Sequence, residues 1–166
     1  SDKTFRRISD SDVPVQAVLE GIAAAQRAGF ATIKANMVVR RGVNDHEIMP
    51  MAEHFRNSGI VLRFIEYMDV GSSNGWRIDE VVTARQILEQ IASHHAIRPS
   101  HPDYPGEVAE RWRYADGSGE IGVIAAITRA FCHTCSRARL STDGKLYTCL
   151  FAMQGADLRT PLRQGT

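Results

Sequence analysis

Gly29-Phe30-Ala31-Thr32-Ile33-Lys34-Ala35-Asn36-Met37-Val38-Val39 is the stretch that decides the fold class. On its N-terminal side Val15, Val18, Leu19, Ile22 and Ala25 recur at helical spacing, which predicts a helix over 15–28. Gly29 supplies the left-handed backbone that ends a helix, and residues 33–39 then read as a strand. The same order returns thirty residues later. Asn44 and Glu47 resemble a capping box opening a helix over 45–57, Gly59 stops it, and 60–67 is the next strand. Helix, glycine and strand at this spacing are the βα units of a parallel sheet.

Further along, Thr83 and Gln86 predict a third helix, reaching His94. Then the texture changes. Pro99, Pro102, Pro105 and Gly106 mark a loop. Residues 111–115 and 121–127 read as antiparallel strands around Asp116-Gly117-Ser118-Gly119, and a second hairpin turns at Asp143-Gly144 between 137–140 and 145–150. The expected division is therefore an α/β part over 1–98 and a small β-rich part over 99–166. Two βα units cannot close a barrel of about eight strands, and the chain opens on a helix-side segment, Thr4 to Ile8. The reading is an incomplete barrel whose earlier strands lie upstream.

The 166 residues are 43% hydrophobic and 23% charged, the composition of a soluble globular chain. No apolar run is long enough to span a bilayer and no secretory signal opens the sequence, so the expectation is a cytoplasmic protein without a membrane partner. The net charge is +1, unevenly spread. Residues 129–166 carry six basic and two acidic side chains, against 14 and 17 in the remainder. A basic tail suits an anionic ligand, or is simply a solvated basic surface.

The three cysteines, Cys132, Cys135 and Cys149, all fall in that basic tail. An odd, tightly clustered set argues against a disulfide framework and for metal or redox chemistry. C-x2-C lets one loop offer two thiolates to one centre, and a hairpin can bring Cys149 back to them. A structural zinc wants four protein ligands, so a distant histidine would have to complete it. A 4Fe–4S cluster on three cysteines leaves one iron open. From spacing alone zinc, an iron–sulfur cluster and unligated core thiols all stand.

Charged residues interrupt the expected strands. Lys34 and Asn36 share a face of the first, and Arg63 sits inside the second. Strands covered on both faces should be almost wholly apolar. Lys34 either meets a polar ligand inside a barrel or snorkels to solvent, and Arg63 with Glu66 is either a structural ion pair or part of a site. Met68 falls at the C-terminal end of its strand, where α/β barrels build active sites, although methionine commonly just fills a core. After the C-x2-C, Arg137 and Arg139 flank Ala138 on alternate positions, which on a strand puts both guanidinium groups on one face for phosphate, or for solvent.

Phe5-Arg6-Arg7-Ile8, Ile33-Lys34-Ala35-Asn36, Gly42-Val43-Asn44-Asp45, Arg63-Phe64-Ile65-Glu66-Tyr67-Met68 and Phe131-Cys132-x2-Cys135-Ser136-Arg137-Ala138-Arg139-Leu140 form one set. They continue through Asp143-Gly144-Lys145-Leu146 to Cys149-Leu150-Phe151. Together they resemble the MoaA family, the radical S-adenosylmethionine GTP 3′,8-cyclases of molybdenum cofactor biosynthesis. The resemblance implies a partial TIM-type radical-SAM barrel with a C-terminal cluster-binding region. It implies conversion of GTP to a cyclic dihydroguanosine triphosphate by a deoxyadenosyl radical. Cys132, Cys135 and Cys149 then match the ligands of a 4Fe–4S cluster. Lys34, Arg63, Arg137, Ala138 and Arg139 match GTP-binding positions, and Met68 and Asn36 match S-adenosylmethionine contacts. Association of two copies and a downstream cyclic pyranopterin monophosphate synthase are further expectations; nucleic acid is not. The C-x3-C-x2-C that would hold a second 4Fe–4S cluster is not in this sequence, nor is the family's C-terminal Gly-Gly. The expectation is a chain truncated at both ends and inactive alone. Another radical-SAM enzyme with an auxiliary cluster, or a non-catalytic zinc module, are the competing readings.

Overall fold

In the computed structural model, which describes residues 1–70, 75–129, 132 and 135–165, the helix–glycine–strand repeat is present. Helix α1 spans Asp2–Ser9 and α2 Val15–Arg27, and strand β1 follows at Ile33–Val39. After a 3-10 turn at Asp45–Glu47 come α3, Ile48–Phe55, and β2, Ile60–Glu66. Gly29 and Gly59 hold φ of 82° and 75°, a region that costs glycine nothing and other residues a Cβ clash. Parallel pairing of β1 with β2 sets Lys34 beside Val61 and Asn36 beside Arg63.

The sheet then departs from a purely parallel one. Helix α4 spans Ala84–Ala92, and β3 (Ile97–Ser100), β4 (Glu110–Tyr114) and β5 (Glu120–Ile124) follow. The strand order is β1-β2-β5-β4-β3. β5 runs parallel to β2, while β4 pairs antiparallel with both β5 and β3. The fold is thus α/β with a mixed sheet, which does not close into a barrel among the described residues. Pro99, expected in a loop, sits within β3, so the anticipated boundary at 98/99 falls inside a strand. β3 is an edge strand, the place where a residue without an N–H is tolerated.

One sheet face carries the core. Leu62, Phe64, Ile121 and Val123 alternate inward from β2 and β5, and Ile48, Ala52, Ile87 and Ile91 meet them from α3 and α4. Each of the fully buried Leu, Phe, Ile and Val side chains contributes about 1.5–3 kcal/mol. Thr83 starts α4 as expected: its hydroxyl accepts from Gln86 N, and the Gln86 amide oxygen accepts from Thr83 N. Thr83→Ala is expected to cost about 1 kcal/mol, measurable as a lower urea midpoint with an unchanged slope.

The other capping box does not form. Asn44 is buried, and its side chain accepts from Arg40 N at 2.8 Å and donates to Val38 O at 2.7 Å. With its hydrogen bonds spent on the end of β1, Asn44 cannot cap α3, which begins three residues later than expected.

The chain divides into two compact units: residues 1–68 with 77–130, and residues 69–76 with 131–166. In the second, β6 (Arg139–Leu140), β7 (Lys145–Tyr147) and β8 (Ala156–Asp157) form an antiparallel sheet, followed by α5, Arg159–Gln164. Gly144, at φ 82°, makes the tight turn, and a Cβ there would stand 2.7 Å from Arg159 Cβ. β8 and α5 were not foreseen. The hairpin strands are shorter than expected, because Arg137 precedes β6 and pairing ends at Tyr147.

Candidate functional site

The sheet face opposite the core carries the first group of predicted residues. β1 alternates between buried Met37 and Val39 and exposed Lys34, Asn36 and Val38. Arg63, half-buried, projects from β2 on the same face, and its Nε donates to Asn36 Oδ1 at 3.0 Å. Lys34, Asn36 and Arg63 are therefore brought together by register and alternation. Glycine at position 122 is part of this arrangement. It pairs with Arg63 across β5, and a Cβ there would lie 3.0 Å from Arg63 Cγ and 3.4 Å from Ala109 Cβ. The missing side chain makes room for the arginine stem. A lone glycine inside a strand pattern is the signal that points to such a close approach.

Arg111 opposes Gly122 from β4, so it lies on this face too. Its guanidinium makes two 2.7 Å bonds to Glu120 and a further one to Asp103. Those carboxylates raise its already high pKa and consume its charge locally. Lys34 and Arg63 have no such bidentate carboxylate partner among the described residues.

Glu66 and Arg63 do not form an ion pair, because alternation sends them to opposite faces. The Glu66 carboxylate is fully buried and accepts four hydrogen bonds. Ala84 N, Ile127 N and Thr128 N each donate at 2.8 Å, and Thr128 Oγ1 donates at 2.5 Å. Burial opposes ionisation, yet the Thr128 hydroxyl and the three backbone N–H groups outweigh it and hold the carboxyl below its ordinary value. The folded-state pKa being depressed, Glu66 contributes its full stability above the ordinary carboxylate value of 4.5 and loses it as pH falls through the lowered one. Urea midpoints of wild type and Glu66→Gln are expected to differ at pH 7 and to converge as pH falls through the lowered carboxyl value. Met68, two residues on, is partly buried just past the C-terminal end of β2.

The second group lies in the second unit. All three thiols are unbridged; Cys132 and Cys149 are exposed and Cys135 is half-buried. Cys135 N donates to Cys132 O at 3.3 Å. Phe131, His133 and Thr134 of that motif lie outside the described residues. Arg137 Nε donates to Cys135 Sγ at 3.3 Å, and Phe151 N donates to Cys149 Sγ at 3.4 Å. The backbone N–H of Arg137 first, and then its guanidinium, lower the Cys135 thiol below its ordinary pKa. Charge-favouring donors aimed at sulfur are what a thiolate metal ligand needs, so the donor set fits an iron–sulfur or zinc centre. Among the described residues no three His, Cys, Asp or Glu side chains stand together as a set that could hold a metal ion. Arg137, Ala138 and Arg139 are exposed. Only Arg139 belongs to β6, so strand alternation does not put the two guanidinium groups on one face.

An α/β unit with basic residues on an open sheet face, joined to a small thiol-bearing β unit, is the class that the comparisons define further. Residues 60–166 match the family described as Molybdenum Cofactor Synthesis C, and the chain belongs to that family. The GTP 3′,8-cyclase of Acidothermus cellulolyticus is 56% identical over 163 residues, covering 98% of this chain and 45% of that protein. That of Xanthomonas axonopodis pv. citri is 52% identical over 161 residues, 97% of this chain and 48% of its own. The Staphylococcus epidermidis enzyme is 44% identical over 165 residues, 99% and 48%. The resemblance to the MoaA family thus holds across nearly the whole chain, which spans about half the length of the curated relatives it matches. Among the described residues no helix is long and apolar enough to cross a membrane.

Proposed function

We propose that this chain is the C-terminal part of a GTP 3′,8-cyclase, which converts GTP to (8S)-3′,8-cyclo-7,8-dihydroguanosine 5′-triphosphate in molybdenum cofactor biosynthesis. One observation carries the reading: three unbridged cysteines, of which Cys135 accepts a hydrogen bond from Arg137, in a chain 56% identical, over 98% of its length, to a protein of that name. On this proposal Cys132, Cys135 and Cys149 hold a 4Fe–4S cluster whose open iron binds the guanine base, while S-adenosylmethionine and a second cluster, held elsewhere in the intact protein, supply the radical.

The protein's own residues bind and orient. β1, β2 and β5 are proposed as part of a TIM-type radical-SAM barrel with their open face inward. Lys34 and Arg63 then meet the substrate from the sheet, and Arg137, Ala138 and Arg139 meet it from the cluster region. A triphosphate in a water-poor site is held by charge-assisted hydrogen bonds to such cations. The Arg63–Asn36 hydrogen bond and the space at Gly122 support the orientation of Arg63. Asn36 and Met68 are proposed S-adenosylmethionine contacts. The next enzyme in sequence, a cyclic pyranopterin monophosphate synthase, would take the product, and two copies would associate in the cytoplasm.

The intact protein carrying this chain, reconstituted anaerobically and given GTP, S-adenosylmethionine and a reductant, is expected to form the cyclic product with one deoxyadenosine per turnover. Residues 1–166 alone, lacking a C-x3-C-x2-C, are expected to form no deoxyadenosine. Absence of product from the intact, fully loaded protein would overturn the proposal.

A further inference from the structure

We infer that Glu66 is a positioning residue: its buried carboxylate is the tether that fixes where the cysteine-bearing segment leaves the C-terminal edge of the sheet. The functional half of this inference rests on the cluster reading above; the structural half does not.

Three elements converge on that one carboxylate. β2 supplies it, three residues after Arg63 and two before Met68. Ala84, the first residue of α4, donates one N–H. Ile127 and Thr128, in the turn after β5, donate two more, and the Thr128 hydroxyl a fourth bond. Thr128 precedes Cys132 by only four positions. Disturbing this fully buried charge is costly, because the buried Ala84 N–H would lose its acceptor and the part-buried donors of Ile127 and Thr128 would be released. The helix N-terminus adds its own preference for an anion there. An apolar contact would let residues 126–128 slide; fixed hydrogen-bond directions do not.

Glutamine is the informative replacement. Its amide keeps the volume but offers one acceptor oxygen and turns an N–H2 toward N–H donors, so the Ile127–Thr128 turn loses part of its anchorage. Because Arg129 is exposed and follows the turn directly, trypsin cleavage after Arg129 reads that loss. The experiment uses the intact, reconstituted protein as wild type, Glu66→Gln, and whichever of Ile91→Val or Ile91→Ala matches Glu66→Gln in thermal midpoint. Ile91 is fully buried in α4 and is not one of the donors to Glu66, so it controls for stability.

The expected result is cleavage after Arg129 at least about tenfold faster in Glu66→Gln than in the matched Ile91 variant. Iron content stays at the wild-type value, and the GTP-induced change in the cluster's EPR spectrum is lost only in Glu66→Gln. Thr128→Val, which removes one donor of four, moves both readouts the same way by less. Cleavage no faster than in the Ile91 variant overturns the tether. Faster cleavage with a wild-type GTP response overturns the positioning role. A wild-type protein whose spectrum ignores GTP defeats the cluster reading and the positioning role with it, and leaves the tether to be judged by the cleavage rates.

Discussion

Serine in place of Cys149 is expected to remove about four irons, and the matching sulfide, from each reconstituted protein. No other cysteine exists in the chain beyond Cys132 and Cys135. A serine hydroxyl does not replace a thiolate at a soft iron site, and two ligands from one C-x2-C turn cannot retain a cubane. Cys132→Ser and Cys135→Ser should reach the same endpoint. Iron and sulfide analysis after anaerobic reconstitution, with EPR of the reduced protein, makes the measurement. Unchanged iron in Cys149→Ser would show that the third cysteine is no ligand, and stoichiometric zinc in the wild type would replace the cluster with a structural metal. That the three sulfurs do not already stand as a metal-holding set agrees with sites whose ligands are gathered by what they bind.

The second large effect concerns the arginines after the C-x2-C. Arg139→Ala is expected to weaken GTP binding by about 10- to 150-fold, the loss of a charge-assisted contact worth about 1.5–3 kcal/mol. Wild-type affinity should fall with added salt, and the variant's should fall less steeply. Arg137→Ala should match it in affinity and differ in one respect. Arg137 also donates to Cys135 Sγ and lowers that thiol's pKa, so its removal takes an N–H donor and a positive charge from a cluster ligand. The cluster's reduction potential should drop in Arg137→Ala and hold in Arg139→Ala. Calorimetric titration with GTP and a potentiometric EPR titration separate the two roles. Equal affinities in wild type and both variants would remove the triphosphate from this segment.

Legibility in the sequence followed the range of the forces involved. Strand β1 was readable to the residue, because its seven positions are bounded by Gly29 and a β-rich run. The Thr83–Gln86 capping box was readable because its partners lie three residues apart, and the bond Gln86 also accepts from Arg41 leaves it intact. The Asn44 box failed because the end of β1, four and six residues back, claimed the side chain instead. Pro99 misled because proline punctuates loops, and only the sheet order reveals that it stands on an edge. In the candidate site, the pairing of Arg63 with Asn36 depends on register, which a sequence does not print. Glu66 could be singled out only as a charge in a strand; its four donors come from 18 and more residues away.

The position of Pro99 has a consequence for how the molecule behaves in a crowded solution. Along β3 the row of backbone donors is interrupted, and the strand is four residues long. A strand from a neighbouring molecule therefore finds no continuous template there, which discourages fibril growth from that side. The seven-residue β1, at the opposite margin among the described residues, carries no proline. The sheet is directional in this sense, terminated at one margin and extensible at the other.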